Sequence, residues 1–224
     1  MKIKALVAVR SGSTRIQNKN LRPFCGSNLI RVKLAQLKRI PELDGIVLNS
    51  NDDEMLAIGQ ELGVETVKRD AYYASNSVVM SEVFVNMAEN IDTDVIVYAN
   101  VTNPLLQDDT LRQAIAFYKE HASEYDSVNS AHAIKEFLWL DGKAINYDPA
   151  NQPRSQDLPN IMCPNAAFNI LPKAVMIRDR NIVSRKPYMY PIDYFEATDI
   201  DNMIDFEIAE FLYGKYVMQG KLWK

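Results

Sequence analysis

The chain reads as a doubly wound α/β fold, a single domain over residues 1–224. Strand-like and helix-like segments alternate from Lys4 to Glu120, the sequence form of βαβ units around a parallel sheet. The strand-like segments are compact apolar runs, as expected where both sheet faces are covered. A composition of 47% hydrophobic and 24% charged residues suits a globular domain and excludes a disordered or collagen-like chain.

Lys4 to Val9 is the first strand, followed by a polar loop from Arg10 to Asn28 and a helix from Leu29 to Ile40 that Pro41 ends. Gly45 to Ser50 is the second strand. Asn51 or Asp52 caps a helix through Leu62, and Gly63 is its stop. Val64 to Val67 is the third strand, Ser81 to Asn90 a helix and Asp94 to Ala99 the fourth strand. Asp108 to Glu120 carries Leu111, Ile115 and Tyr118 at helical spacing, with carboxylates at its start. From Ser127 the pattern changes. Phe137 to Ile145 forms a hairpin around Asp141-Gly142, a type I′ turn pair, and the proline-rich stretch Asn146 to Pro164 is an excursion. Together they make a small element, about 132–164, suited to covering a neighbouring subunit. Ala167 to Leu171 is a further strand and Asn202 to Gln219 the closing helix, with Tyr213, Tyr216 and Trp223 as its core and edge aromatics.

Several function classes drop out. No run of about 18 apolar residues offers a membrane span, and a net charge of −4 argues against general nucleic-acid affinity. The start Met1-Lys2-Ile3-Lys4 lacks the form of a signal peptide. Cys25 and Cys163 lack metal-ligand spacing and point to the reducing cytoplasm. Charge is segregated: Met1 to Pro41 holds ten Lys or Arg and no carboxylate, and Met189 to the end holds seven acidic residues and three basic ones. One end suits an anion and the other a cation.

In a doubly wound fold the site lies beyond the carboxyl ends of the strands, here after Val9, Val67 and Ala99. Arg10-Ser-Gly-Ser-Thr-Arg15-Ile-Gln-Asn-Lys19-Asn20 puts three cations and two small hydroxyls on one loop, a phosphate-wrapping composition that matches neither the P-loop nor the dinucleotide motif. Asn100-Val-Thr102-Asn-Pro104 offers uncharged hydrogen-bonding groups, which turn chemistry also explains. Asp199 and Asp201, two apart on an extended segment, form a hard-oxygen pair for Mg²⁺; the competing reading makes Asp201 a helix N-cap. Arg154, in a proline-stiffened loop, suits a carboxylate clamp or simple solvation.

Taken in order, these segments resemble the CMP-sugar synthetases, in particular the acylneuraminate cytidylyltransferases, over nearly the whole chain. Arg10, Ser13, Lys19 and Asn20 stand at key positions of that family's nucleotide loop. Lys68-Arg69-Asp-Ala-Tyr-Tyr-Ala74-Ser75 is similar to its Arg-Pro-x-x-x-Ala-Ser segment, and Asn100 to Leu105 stands in place of Gln-Pro-Thr-Ser-Pro-Leu. Gln152-Pro-Arg154 to Pro159, Pro164-Asn165-Ala166-Ala167 and Asp199-Ile-Asp201 with Asp205 match three further family segments. The resemblance implies a Rossmann-like nucleotidyltransferase sheet, a homodimer, and CTP with an acidic 2-keto-3-deoxy sugar as substrates. The resemblance likewise implies as products a CMP-sugar, a donor for cell-surface polysaccharide synthesis, and pyrophosphate. It assigns catalysis to Arg10, Lys19 and Asp201, and nucleotide binding to Ser13, Arg15, Asn20, Arg69 and Ser75. It assigns the sugar to Asn100, Thr102, Arg154 and Asn165, and Mg²⁺ to Asp199 and Asp201. Asn100 is a methylene shorter than the family Gln, Thr14-Arg15 replaces Lys-Gly, and Ala166 replaces a Gly, which disfavours positive φ there. The Kdo branch carries Gly-Asp-Glu-Pro-Leu where this chain has Val101-Thr102-Asn103-Pro104-Leu105, so the missing carboxylate favours the nonulosonate branch. Two other readings stand beside this one: a nucleotide-sugar glycosyltransferase with Asp199-Ile-Asp201 as its metal motif, and a catalytically silent nucleotide-binding subunit.

Overall fold

A computed structural model describes residues 1–220; Trp223 lies outside the described residues. Its central sheet has seven strands, in the spatial order 65–68, 45–50, 3–8, 95–98, 161–172, 127–134 and 187–191. The first half follows the expected alternation: β1 (Ile3–Ala8), α1 (Leu29–Leu37), β2 (Gly45–Ser50), α2 (Asp53–Glu61), β3 (Glu65–Lys68), α3 (Met80–Glu89), β4 (Val95–Tyr98) and α4 (Asp108–His121). Strands β1 to β4 are parallel. Asn28 caps α1 and Asp52 caps α2 through their side chains.

The two faces of the sheet are covered by different helices, which is why the strands are apolar throughout. Ile3, Ala5 and Val7 pack with residues of α1, α2 and α4, and also with Phe206 and Ala209 near the C-terminal end. Leu6, Val47, Ile96 and Tyr98 pack instead with Val83, Met87 and Ala88 of α3. Period-two side-chain alternation thus feeds two separate apolar layers.

The second half holds three elements that pattern reading missed. They are β5 (Ser127–Ile134), α5 (Lys173–Asp179) and the edge strand β9 (Pro187–Pro191). β5 is written Ser-Val-Asn-Ser-Ala-His-Ala-Ile, and its Ser127, Asn129 and Ser130 are buried polar residues that disguise a central strand. Ser127 and Asn129 are satisfied by bonds to each other and to Ser184 and Asn169. Strands β6 (Trp139–Leu140) and β7 (Lys143–Ala144) form the expected hairpin, with Asp141 and Gly142 both at positive φ (48° and 76°) as a type I′ turn requires.

β8 (Ile161–Pro172) is longer than expected, so the element at 132–164 shrinks. Residues Ile161–Pro164 pair antiparallel with Ile134–Ala131, and the register slips at a bulge between Asn129 and Ala131. Pro164 is tolerated because it sits beside that bulge, where the ladder is already interrupted. Ala166, expected to resist positive φ, adopts 55°. The closing helix α6 (Met203–Leu212) continues as a π-helical turn, Tyr213–Val217. Asn202, not Asp201, caps α6, in a capping box with Asp205 that leaves Asp201 free of that duty.

Candidate active site

The carboxyl ends of β1, β3 and β4 converge on two adjoining cavities that share Ala8, Val9 and Arg10. The upper one, about 360 Å³, is lined on its polar side by Arg10, Arg69, Ser75 and Asn76 and on its apolar side by Tyr73, Met80 and Tyr98 among others. The lower one, about 240 Å³, is lined by Arg10, Ser13, Arg15, Lys19, Asn20, Asn100 and Thr102 among others. Nine residues singled out in the sequence therefore meet on one continuous surface.

Each cation is held by groups that fix its direction. Arg10 donates to the Ala74 carbonyl at 2.7 Å, bridging the loop after β1 to the turn after β3. Asn20 donates to the Arg10 carbonyl at 3.2 Å, closing the loop on itself. Gly12, at φ +82°, supplies a turn that a side chain would strain. Arg69 is buried, its Nε on Asn49 Oδ1 at 2.6 Å and an Nη on the Asn49 carbonyl at 3.1 Å. Burial lowers its pKa. Asn49 is a positioning residue the sequence reading missed; its one signal is an amide ending the apolar run Ile-Val-Leu of β2. Ser75 Oγ lies 3.0 Å from Ser77 Oγ.

The basic head and acidic tail of the chain meet here. Lys19 Nζ donates to the Ile200 carbonyl at 2.7 Å, which places it between Asp199 and Asp201. Burial lowers the Lys19 pKa, against the opposing pull of those two carboxylates. Arg15 pairs with Asp201 at 2.7 Å, both side chains largely exposed, so the pair is weak and open to exchange. Asp199 is half-buried. Its pKa is raised by burial, opposed by a hydrogen bond from Thr102, and its Oδ1 is buried without a partner. Thr102 also accepts the Ile200 N–H through its carbonyl at 2.9 Å.

Two expected sugar residues do not join this surface within one chain. Arg154 sits on the excursion and pairs with Asp157 at 2.7 Å, a short local ion pair that i,i+3 spacing favours over a distant reach. Asn165 accepts from Ser130 Oγ at 2.7 Å and from the Ala167 N–H at 3.2 Å, so its amide oxygen is occupied in bracing the bulge.

Among the described residues no three His, Cys, Asp or Glu side chains converge as a metal cluster. Asp199 and Asp201 are a pair, fitting a cation whose other ligands come from phosphate and water. The orphaned Asp199 oxygen is the observation that favours this fit.

The family model described as cytidylyltransferase matches residues 4–211. An N-acylneuraminate cytidylyltransferase of Oncorhynchus mykiss is 26% identical over 217 residues, 93% of this chain and 49% of that protein, so this chain spans about half its length. A pseudaminic acid cytidylyltransferase of Campylobacter jejuni is 25% identical over 229 residues, covering 95% of this chain and 97% of that one. In fold, the chain is similar to a CMP:2-keto-3-deoxy-manno-octonic acid synthetase complexed with CTP (TM-score 0.71, 11% identity, 96% of this chain and 99% of the other). It is also similar to a 4-diphosphocytidyl-2C-methyl-D-erythritol synthase from Anaerococcus prevotii (TM-score 0.69, 13% identity, 97% and 98%). A match that runs from the first strand to the last helix shows that the chain belongs to the cytidylyltransferase family.

Proposed function

We propose that this chain couples CTP to an acidic 2-keto-3-deoxy sugar of the nonulosonate class, releasing pyrophosphate. The observation that carries the reading is that Arg10, Arg15 and Lys19 line one cavity while Lys19 holds the Ile200 carbonyl, between Asp199 and Asp201, and Arg15 pairs with Asp201. The names of the relatives supply the two substrate classes. The anomeric hydroxyl attacks the α-phosphorus, the bond to the bridging α,β oxygen breaks, pyrophosphate leaves and the hydroxyl proton passes to water. Such transfer needs positioning and charge stabilisation more than a protein nucleophile. Arg10, Arg15 and Lys19 hold the triphosphate and balance the charge that grows on the departing pyrophosphate. Arg15 exchanges Asp201 for phosphate oxygen at low cost, because its present pair is exposed. Arg69 and Ser75 line the base and ribose side, and Asn100 and Thr102 face the sugar.

Asp199 and Asp201 would hold Mg²⁺, which supplies Lewis-acid polarisation of the phosphate. The β6–β7 hairpin displays Trp139, Leu140 and Ile145, each more than half exposed, as a surface for a second copy of the chain. A homodimer assembled there would bring Arg154 to the partner's sugar, where a guanidinium can fork onto a carboxylate. The free thiols Cys25 and Cys163 suit the cytoplasm as the place of action, and among the described residues no helix is long and apolar enough to cross a membrane.

A panel of 2-keto-3-deoxy acids offered with each of the four NTPs, followed by pyrophosphate release, tests the proposal. Release that requires both CTP and a nonulosonate supports it. Transfer of sugar from a preformed nucleotide-sugar, or binding of CTP with no turnover on any acid, overturns it.

A further inference from the structure

Lys33 lies in the middle of α1 and is fully buried. Its Nζ donates to Gln36 Oε1 at 2.7 Å and to the Asn103 carbonyl at 3.0 Å. Gln36, one turn on, hydrogen-bonds the Leu106 carbonyl and Asp108 Oδ1, the latter at 3.2 Å. Two polar side chains on the buried face of α1 thus grip the loop that joins β4 to α4, the loop that carries Asn100 and Thr102.

The far side of that loop grips the acidic segment. Asn103, itself fully buried, donates from Nδ2 to the Thr198 carbonyl at 3.2 Å. Thr102 accepts the Ile200 N–H, and the Gln107 N–H is received by Glu196 Oε1 at 2.7 Å. Lys19 then closes on the Ile200 carbonyl. A path of adjacent bonds therefore runs from α1 through Asn103 to the segment bearing Asp199 and Asp201.

A buried amine is an expensive way to fill a core position, since an apolar side chain of equal length would avoid its desolvation. Burial pushes the Lys33 pKa down to about 7, with the Asp108 carboxylate, held by Arg39, opposing that shift. In its neutral form the amine has two N–H donors, and two acceptors face it.

We propose that Lys33 is a positioning residue of the active site, acting through Asn103 to set where Thr102 and the Asp199–Asp201 segment stand. It touches neither cavity. The inference deepens the proposed reaction and rests on it.

The test compares the wild-type chain with Lys33→Met, Asn103→Ala and the double variant, reading kcat and KM by pyrophosphate release. Lys33→Met keeps an unbranched apolar stem, one atom shorter, and loses both bonds of the amine. The expected result is a kcat at least tenfold lower with KM for CTP within threefold, because the cavity lined by Arg69 and Ser75, assigned to the base and ribose, is built from other loops. Asn103→Ala should lower kcat similarly, and the double variant should lose less than the product of the two single losses. A normal kcat per folded molecule in Lys33→Met, whatever its melting temperature, overturns the proposal, as does full multiplicativity in the cycle. Should Lys33→Met fail to fold, Lys33→Gln takes its place with the same criteria. Wild-type turnover in the same assay tests the underlying reaction, so failure of that reading is told apart from failure of the Lys33 ratio. A substrate-free readout checks the burial: between about pH 7 and the unfolded lysine value of 10.5 the unfolded chain alone holds this proton. Stability from this group therefore rises with pH across that window, and the rise should be missing in Lys33→Met.

Discussion

Ala166 adopts φ +55° beside the bulge between β5 and β8, and replacing it by glycine should stabilise the protein. The strain is held in place by Ser130, whose Oγ donates to Asn165 Oδ1 at 2.7 Å and accepts the Phe168 N–H at 3.0 Å. The Asn165 oxygen also receives the Ala167 N–H. Left-handed backbone costs a residue with a Cβ about 1–2 kcal/mol. Glycine loses about 0.5–1 kcal/mol through its freer unfolded state, so the net gain of Ala166→Gly is about 0.5–1 kcal/mol. For a domain of this size that corresponds to a rise of about 1–4 °C in Tm. Thermal melts and urea titrations would measure it, with the urea midpoint rising at constant slope. Arg180, at φ 53° where α5 ends, is the control, since glycine is favoured at such a cap. A gain at Arg180 with none at Ala166 would refute the claim that the bulge stores backbone strain.

Lys19→Ala should lower turnover about 10²- to 10³-fold, the range for removing one preorganised charge-stabilising group, with an unchanged circular dichroism spectrum. Asp199→Asn should raise stability at neutral pH, because it removes a carboxylate charge that burial penalises, while abolishing turnover; a lower Tm in that variant would argue against that penalty. If the proposed homodimer forms through the exposed hairpin, wild-type chain should sediment as a dimer and Trp139→Asp as a monomer; a wild-type monomer, or a dimer that persists in the variant, would refute that interface.

The elements legible in the sequence were those whose local signals agree. β1, β2 and β4 are apolar runs between turns, α2 carries its Asp52 cap and Gly63 stop, and the hairpin carries Asp-Gly. The basic loop after β1 was legible because three cations follow a buried strand with no carboxylate near them in sequence; their partners, the Ala74 and Ile200 carbonyls and Asp201, are distant along the chain. β5 and β9 were not, because their burial is arranged by partners distant in sequence. Asn129 is tolerated in the core only because Asn169 answers it, and a Ser or Asn in isolation reads as loop.

Lys33 and Asn49 show the same limit at the site. A lysine within a cationic stretch reads as solvent-facing, and an asparagine at a strand end reads as a turn; only packing reveals that one braces the loop after β4 and the other holds Arg69. By itself the sequence determined the alternating βα scaffold, the charge segregation and the basic loop after β1, since each is written in neighbours along the chain. Tertiary structure alone decided that Lys19 reaches the Asp199–Asp201 segment, that Asn202 rather than Asp201 caps α6, and that Asn165 braces a bulge. Those outcomes depend on contacts between residues far apart in the chain, whose free energies follow from burial and partner geometry rather than from residue type.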